Sequence, residues 1–382
     1  MKVTISVKGR FHAFNLAKEL QNKAYLKRLI TSYPVFEVTK YGIDRHKILS
    51  LPTHEVIERV WRKLPSKLSD IWDARHLFCE LYDRHVARKL SDRSDIFVGW
   101  SSFSLHSMRR AKQLGAITVL ERGSSHIAHQ RDILLEEYRR YGSRGEIPHP
   151  QIVEKEIQEY EEADFISVPS RHVKKSFLES GISEKKIIHV PYGVDLANFY
   201  PVPKQDNIFR VIHCGTLSLR KGVHYLMQAF SELNLPRSEL WLIGSMTEEI
   251  RPLYAQFFSE KIMHKGPFPQ KELYRFYSQG SVFALASIEE GLAMVQAQAM
   301  ACGLPVVCST NTGGEDIVRN EIDGFIVPIR DVGALKEKIL YLYENPAICA
   351  AMGKSARERV RSGFTWSDYG ENMIAHYRSA MH

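Results

Sequence analysis

The stretch at residues 287–307 constrains the fold of this chain most. A short apolar run at 282–285 precedes it and predicts a buried strand. A polar loop that contains Glu290 follows. Next comes a helix of small residues, which should end near Gly303 because glycine favours the helix C-cap. Another apolar strand is predicted at 305–308, and it begins at a proline that cannot continue the helix. This order of elements is typical of a strand–loop–helix–strand unit in a parallel α/β sheet.

The loop of this unit lies at the carboxyl end of a strand, where open parallel sheets bind their ligands. Glu290 is therefore a candidate site residue. Backbone N–H groups at the start of a helix have no partner within the helix and can bind an anion. Four amides open this helix and are candidates for contact with a phosphate: those of Gly291, Leu292, Ala293 and Met294.

The rest of the chain repeats the alternation of strands and helices. With 382 residues it is long enough for two domains, each with its own hydrophobic core. No apolar run approaches the length of a membrane span. The chain begins directly with a predicted strand at 3–7, so we expect no signal peptide. These features favour a cytoplasmic protein.

Two common kinds of site have no signature in the sequence. The five cysteines are scattered, without a C-x-x-C pair, so neither a zinc site nor a disulfide framework is expected. No G-x-G-x-x-G is followed by a ribose-binding acid, which argues against a dinucleotide-dependent oxidoreductase.

The positive charge lies in the first half of the chain. Residues 1–200 contain 33 Lys and Arg against 25 Asp and Glu, which accounts for the entire net charge of +8. Helices predicted at 56–63 and 71–90 add aromatic residues, Trp61 and Trp72 among them, to basic residues such as Lys63 and Lys67. Such helices either lie on an anionic membrane or pack their apolar face on the sheet. A basic surface that serves only solubility is the other interpretation of the charge.

The central stretch resembles a motif of the retaining nucleotide-sugar glycosyltransferases of family four, E-G-x-G-x-x-x-x-E-A-x-A-x-G. Glu290 matches the first glutamate, and residues 299–307 fit the family closely. Gln298 stands in place of the second glutamate, and Ala293 in place of the second glycine. The resemblance implies that residue 290 contacts the donor sugar and residue 298 the nucleotide ribose.

A second loop, at residues 214–222, resembles the family's G-R-L-x-x-x-K-G. The resemblance implies that Gly215 and Thr216 contact the donor and that Lys221 binds its diphosphate. Thr216 occupies the usual arginine position, so we expect Arg220 to supply the second cation.

Two loops of the first half complete the candidate site. The family's first strand–helix loop borders the cleft, which makes Gly9 and Arg10 candidates for contact with donor phosphate or acceptor. Family members often carry a histidine after a later strand, lining the sugar site. Here that histidine is His126, with His129 as a competitor. The neighbours of His126 in this loop include Glu121 and Ser125.

The resemblance implies the GT-B fold, in which two Rossmann-like α/β domains face each other across a cleft. Residues 1–200 would form the acceptor-side domain and 201–365 the donor-binding domain, with a helix at 366–382 crossing back to the first domain. The segment V-P-Y-G-V-D resembles the family's N-G-V-D at the hinge, with Tyr192 in place of asparagine.

The implied function is transfer of a sugar from a nucleotide diphosphate donor to a hydroxyl acceptor, with retention of anomeric configuration. The absence of a D-x-D motif agrees with chemistry that needs no metal and no cofactor. Relatives build bacterial polysaccharides or lipid-linked glycans, so a lipid-linked acceptor, an anionic membrane surface and a peripheral location are expected, and nucleic acid is not. Two alternatives stay open. One is a non-catalytic nucleotide-sugar-binding protein, suggested by Gln298 and Thr216, and the other is a hydrolysing nucleotide-sugar epimerase.

Overall fold

The computed structural model describes residues 1–62, 73–143 and 145–382. Within these ranges, strands and helices alternate along the chain and form two parallel β-sheets. The central strands are mostly apolar and are buried along their whole length, as expected when helices cover both faces of a sheet. The predicted α/β class with two Rossmann-like domains is therefore confirmed.

The first sheet contains seven strands among the described residues: β1 (Val3–Val7), β2 (Leu26–Thr31), β3 (Ile48–Ser50), β4 (Ile96–Trp100), β5 (Ile117–Glu121), β6 (Phe165–Val168) and β7 (Ile187–His189). Their order in the sheet is β3-β2-β1-β4-β5-β6-β7. The loops after β1, β4 and β5 consequently leave the sheet side by side at one edge. The helices of this domain are α1 (Ala13–Asn22), α2 (Val35–Thr39), α3 (Thr53–Arg62), α4 (Arg75–Lys89), α5 (Leu105–Gln113), α6 (Ile127–Arg140), α7 (Pro150–Glu162) and α8 (Arg171–Glu179).

The second sheet contains β8 (Phe209–Cys214), β9 (Ser238–Ile243), β10 (Ile262–Gly266), β11 (Val282–Leu285), β12 (Val306–Ser309) and β13 (Gly324–Val327). Their order is β10-β9-β8-β11-β12-β13. Strands β8 and β11 are neighbours, so the two motif loops that follow them emerge together. The helices are α9 (Val223–Leu233), α10 (Arg251–Gln256), α11 (Leu273–Tyr277), α12 (Met294–Ala301), α13 (Gly314–Ile317), α14 (Val332–Glu344), α15 (Pro346–Arg361) and α16 (Trp366–Ala380).

The last helix, α16, returns to the first domain as predicted. It begins with a capping box between Thr365 and Asp368. Its Glu371 pairs with Lys23 at 3.0 Å, and a Cβ on Gly370 would lie 2.4 Å from the Cβ of Glu19 on α1. This close approach requires the glycine. The expected domain boundary at residue 200 falls between the end of β7 and the start of β8.

The two helices considered for membrane contact, α3 and α4, differ in how far their apolar side chains are buried. Helix α4 buries Phe78 and Tyr82 in the first domain. Helix α3 instead exposes apolar side chains, those of Val56, Ile57 and Val60. Trp72, Lys63 and Lys67 lie outside the described residues. Over the described part of the chain, we find no helix with the length and apolar content of a membrane span. All five cysteines are buried free thiols.

Candidate active site

Glu290 and two cations form a compact charged cluster at the ends of β8 and β11. The Nη1 of Arg220 donates to Glu290 Oε1 at 2.9 Å, and Lys221 Nζ makes an ion pair with the same oxygen. Although burial raises the pKa of the Glu290 carboxyl, the charges of Arg220 and Lys221 hold it below its ordinary value. Glu290 in turn raises the pKa of Arg220, against the effect of burial. The structure thus brings together the three charged residues predicted from the two motifs.

The preceding residue, Glu289, has a different role that sequence reasoning missed. Its carboxylate is fully buried and reaches into the first domain. It accepts hydrogen bonds from the backbone N–H of Ser125 at 3.1 Å, from the Ser125 hydroxyl at 2.9 Å and from Gln130 Nε2 at 3.0 Å. A carboxylate beside Glu290 was visible in the sequence, but its direction was not.

The backbones of the two domains touch at this point. A Cβ on Gly291 would lie 1.8 Å from the carbonyl oxygen of Gly123, so only glycine fits. The hydroxyl of Ser170 donates to the carbonyl oxygen of Gly291 at 2.7 Å. This contact closes the cleft directly beside the charged cluster.

A second contact between the domains involves Glu137 on α6. This fully buried carboxylate accepts from Tyr225 Oη at 2.9 Å and from Arg330 Nε at 2.7 Å, and it lies 3.1 Å from His224 Nε2. A third contact joins Asp316 to the first domain, where its carboxylate accepts from the backbone N–H of Arg171 at 2.9 Å and lies 2.9 Å from His189 Nε2.

The helix-opening amides are only partly available to a ligand. Ala293 N–H donates to the carbonyl oxygen of Thr312 at 3.1 Å, which corrects the expectation that it faces a phosphate. Within the described ranges, the N–H groups of Gly291, Leu292 and Met294 have no hydrogen-bond acceptor. Three of the four predicted amides thus have no hydrogen-bond partner in the described residues, although Gly291 and Leu292 are buried.

A cavity of about 620 Å³ lies between the domains. Arg10, Met294 and Gln298 line it, so two distant motifs meet there as expected. Gln298 Oε1 accepts a hydrogen bond from the Tyr277 hydroxyl at 3.4 Å, and its side chain is buried. Further lining cations are Lys18, Lys40 and Lys271. Together with Arg10 these lysines outnumber the lining carboxylates, Glu19 and Asp195, and this excess of positive charge suits an anionic ligand. We refer to this space as the large cavity.

A second cavity, of about 310 Å³, shares Phe11 and Met294 with the large cavity. We call it the small cavity. Its other lining residues are His12, Trp100, Ser101, Ser102, Phe103, Arg122, Gly123, Ser124, Tyr192 and Leu292. Glu290, Lys221 and Arg220 lie outside the lining of both cavities. Among the predicted residues of the glycine-rich loop, Thr216 is exposed and Gly215 is half-buried.

The structure places His126 away from both cavities. It caps the start of α6, where its Nδ1 accepts from the N–H of Ala128 at 3.4 Å, and its ring packs on Tyr160 and Phe177. Burial, followed by the charge of Arg122, lowers the pKa of His126 to about 4. The competitor His129 packs on His172 and also lies outside both linings.

The histidine in the small cavity is His12, which sequence reasoning did not select. It follows Arg10 in the first strand–helix loop, so its position beside a predicted loop was the available signal. Its Nε2 lies 3.1 Å from Glu121 Oε2. The sequence predicted Glu121 only as a neighbour of His126. In the structure it contacts a different histidine.

A group of possible metal ligands lies elsewhere in the first domain. The side chains of Glu80, Asp83 and His106 come together on α4 and α5. The ammonium group of Lys155 pairs with Glu80 and lies 2.8 Å from Asp83. A lysine therefore already supplies the positive charge at this position.

Comparison with known proteins agrees with this geometry. Residues 198–359 match the family model described as Glycosyl transferases group 1. The chain is 27% identical, over 235 residues, to a GDP-mannose-dependent monoacylated alpha-(1-6)-phosphatidylinositol monomannoside mannosyltransferase of Corynebacterium glutamicum, with 56% of this chain and 61% of that protein covered. It is 22% identical to a D-inositol 3-phosphate glycosyltransferase of Pseudarthrobacter chlorophenolicus, with 92% and 84% covered. The chain thus spans about three fifths of the first relative's length.

Two solved structures share the whole fold. Sucrose-phosphate synthase from Thermosynechococcus elongatus superposes with a TM-score of 0.72 at 20% identity, covering 100% of this chain and 99% of that chain. Anabaena HepE in complex with UDP and glucose superposes with a TM-score of 0.70 at 15% identity, with both chains fully covered. Residues 198–359 of this protein are therefore a glycosyl transferases group 1 domain, within a chain that has the GT-B fold.

Proposed function

We propose that the protein is a retaining glycosyltransferase that moves a sugar from a nucleotide diphosphate donor to a hydroxyl acceptor. The observation that carries this proposal is the cluster of Glu290, Lys221 and Arg220 at the carboxyl ends of two central strands. Two cations beside a carboxylate suit a donor that has an anionic diphosphate and a neutral, hydroxyl-bearing sugar.

Donor binding would exchange the partners within this cluster. The diphosphate would take over the hydrogen bonds of Lys221 and Arg220, which releases the carboxylate of Glu290 to accept from sugar hydroxyls. The same cations then stabilise the negative charge that develops on the departing nucleotide. Because side chains supply this charge, we expect no metal or cofactor in the reaction.

The nucleotide would occupy the large cavity. Its ribose diol can donate to Gln298 Oε1, because an amide oxygen has a second lone pair beside the one used by Tyr277. Arg10, Lys18 and Lys271 add positive charge around the phosphates. UDP is present in the superposed structure of HepE, and GDP-mannose appears in the name of the Corynebacterium relative. These two nucleotides are the first to test.

Retention would follow from a front-face reaction. The bond between the anomeric carbon and the β-phosphate oxygen breaks, and its electron pair leaves with the nucleotide diphosphate. The acceptor oxygen bonds to the anomeric carbon on the same face and passes its proton to the departing phosphate oxygen. The negative charge of Glu290 stabilises the positive charge on the sugar, and the closed cleft excludes water that would hydrolyse the donor.

For the acceptor, we propose a lipid-linked glycan at the inner face of the cytoplasmic membrane. Its support is the positive charge of residues 1–200 and the exposed apolar residues of α3. Such a protein would act in bacterial polysaccharide or lipid-linked glycan synthesis, without binding nucleic acid. Sedimentation should show binding to anionic vesicles that weakens with salt, because salt screens surface charges over about 8–10 Å. Equal binding to neutral vesicles would contradict the electrostatic part of this proposal.

The decisive experiment for the function is calorimetry of the pure protein with UDP, GDP, ADP and TDP, followed by assays with the matching nucleotide sugars. We expect one diphosphate to bind, and transfer to hydroxyl acceptors to persist in EDTA with the anomeric configuration retained. Tight binding without transfer to any tested acceptor would favour the non-catalytic alternative. Release of free nucleotide with epimerised sugar, independent of acceptor, would favour the epimerase.

A further inference from the structure

The small cavity contains polar groups to which the proposed reaction has so far assigned no role. It lies beside the large cavity, with Phe11 and Met294 between them. It also borders the loop that follows Glu290, because Leu292 lines it. What binds there would therefore be next to a sugar held at Glu290. This inference rests on the proposed function.

His12 is held in one orientation at the wall of this cavity. Its ring lies between those of Trp100 and Tyr192, with ring centroids 5.0 Å and 4.2 Å away. Its Nε2 faces Glu121 Oε2 at 3.1 Å. The side chains of both His12 and Glu121 are buried. The histidine thus has a fixed ring plane and one fixed hydrogen bond.

This hydrogen bond determines what the other nitrogen can do. A carboxylate only accepts hydrogen bonds, so the proton of the neutral ring lies on Nε2 and Nδ1 has a free lone pair. In the described part of the chain, Nδ1 has no hydrogen-bond partner, and it is not among the polar atoms sealed from solvent. A lone pair open to the cavity requires a ligand that donates.

Two further polar atoms next to His12 are unpaired. Glu121 Oε1 and the Tyr192 hydroxyl are both buried without a hydrogen-bond partner in the described residues. Such atoms are rare in folded proteins, because a buried polar group without a partner destabilises the fold. Because both atoms are sealed from solvent, a ligand in the cavity does not reach them, and it meets His12 and the flat rings of Trp100 and Phe103 instead.

We propose that the small cavity is a sugar-hydroxyl subsite, in which His12 Nδ1 accepts a hydrogen bond from a hydroxyl of a hexose. Glu121 is the positioning residue, because it fixes the tautomer of His12. The hexose is either the transferred sugar of the donor or the ring of the acceptor. Both offer the same chemistry, hydroxyl donors on a ring with apolar faces.

Two substitutions of His12 separate hydrogen bonding from packing. In His12→Asn, the side-chain oxygen can take the position of Nδ1, so the acceptor is kept. In His12→Gln, the side-chain amide can take the position of Nε2, so the bond to Glu121 is kept and the Nδ1 acceptor is lost. A purely structural role predicts that Gln is tolerated at least as well as Asn, and our proposal predicts the reverse. His46→Gln, at an exposed histidine outside the cleft, is the control.

Calorimetry with GDP-mannose and UDP-glucose, and with GDP and UDP alone, tests whether the hexose belongs to the donor. If the hexose is that of the donor, His12→Gln should reduce the affinity for the nucleotide sugar about three- to tenfold and leave that for the diphosphate unchanged. If it is the acceptor ring, both affinities should stay unchanged, and the KM for methyl α-D-mannopyranoside or methyl α-D-glucopyranoside should rise by a similar factor. His12→Asn should lie closer to the wild type in the affected measurement.

Tyr192→Phe provides a variant that leaves no cavity and should fold. It should leave the melting temperature equal or higher, because a buried unpaired hydroxyl is removed, and it should change the affected measurement less than His12→Gln, because that hydroxyl is sealed from solvent. Unchanged sugar affinity and acceptor KM in His12→Gln would overturn the proposal, and so would an equal loss in Tyr192→Phe. Failure of the wild type to bind any diphosphate would instead refute the proposed function itself.

Discussion

The two faces of the cleft use different chemistry. On the second-domain face, Glu290, Lys221 and Arg220 present charge from two adjacent loops. On the first-domain face, the small cavity is walled by aromatic rings, and its guanidinium group, that of Arg122, already pairs with Glu156 at 2.9 Å. This difference indicates that the two domains have different functions. The second domain would bind the charged part of the donor, and the first would shape the space around the sugar.

The largest effect is expected when a cation is removed from the second-domain face. Lys221→Ala should weaken binding of the nucleoside diphosphate by about ten- to a hundredfold, because a charged hydrogen bond contributes roughly 1.5–3 kcal/mol. Binding of the nucleoside should hardly change. Calorimetry with both ligands measures the contrast, with Lys204→Ala as the control because Lys204 lies in the interdomain linker segment. Unchanged diphosphate affinity would remove Lys221 from the site.

A second test concerns the link between the two faces. Glu289→Gln should destabilise the closed protein by about 1–3 kcal/mol, because a neutral amide replaces a buried carboxylate that accepts three hydrogen bonds. Both domains should stay folded, because the contact that Glu137 makes between them remains. Thermal unfolding and small-angle scattering should show a lower melting temperature and a more open particle. Glu248→Gln, at an exposed carboxylate of the same domain, should change neither. Equal behaviour of the two variants would contradict the role of Glu289.

The smallest effect is expected at the ribose. Gln298→Ala should raise the KM for the donor several-fold with little change in turnover, because it removes one neutral hydrogen-bond acceptor worth about 1 kcal/mol. Gln298→Glu should leave activity within about tenfold of the wild type, since a carboxylate accepts from a diol as well. Initial rates over a range of donor concentrations separate KM from turnover. A large loss of turnover in Gln298→Ala would assign this residue a role beyond binding.

The same comparison explains what the sequence could predict. The second-domain face consists of contiguous motifs after β8 and β11, and these strands are neighbours, so Lys221 and Glu290 could be assigned together. The first-domain face combines His12, Trp100 and Tyr192, which are far apart in the chain. They meet because β1 and β4 are adjacent in the sheet and because the hinge segment folds back on them.

The direction in which a loop side chain or amide points was a second limit on what the sequence could predict. A loop has no periodicity, so the sequence could not show that Glu289 accepts hydrogen bonds from the first domain, with Arg220 Nη1 3.7 Å from its Oε2, while Glu290 pairs with both cations. Nor could it show that the amide of Ala293 is taken by Thr312, a partner that only the packing of the loops provides. His126 was selected for its place after a strand, but that place is also the start of α6, where a side chain can cap the helix.

The central claim is that the charge of Glu290 acts on the sugar during transfer, and turnover of Glu290→Gln tests it most directly. The variant keeps the size of the side chain and removes its charge. We predict that turnover falls by at least about tenfold, corresponding to roughly 1.4 kcal/mol of transition-state stabilisation, while the nucleoside diphosphate still binds. Transfer of a radiolabelled sugar, or hydrolysis of the donor when no acceptor is known, gives the measurement. Full turnover in Glu290→Gln would contradict this account.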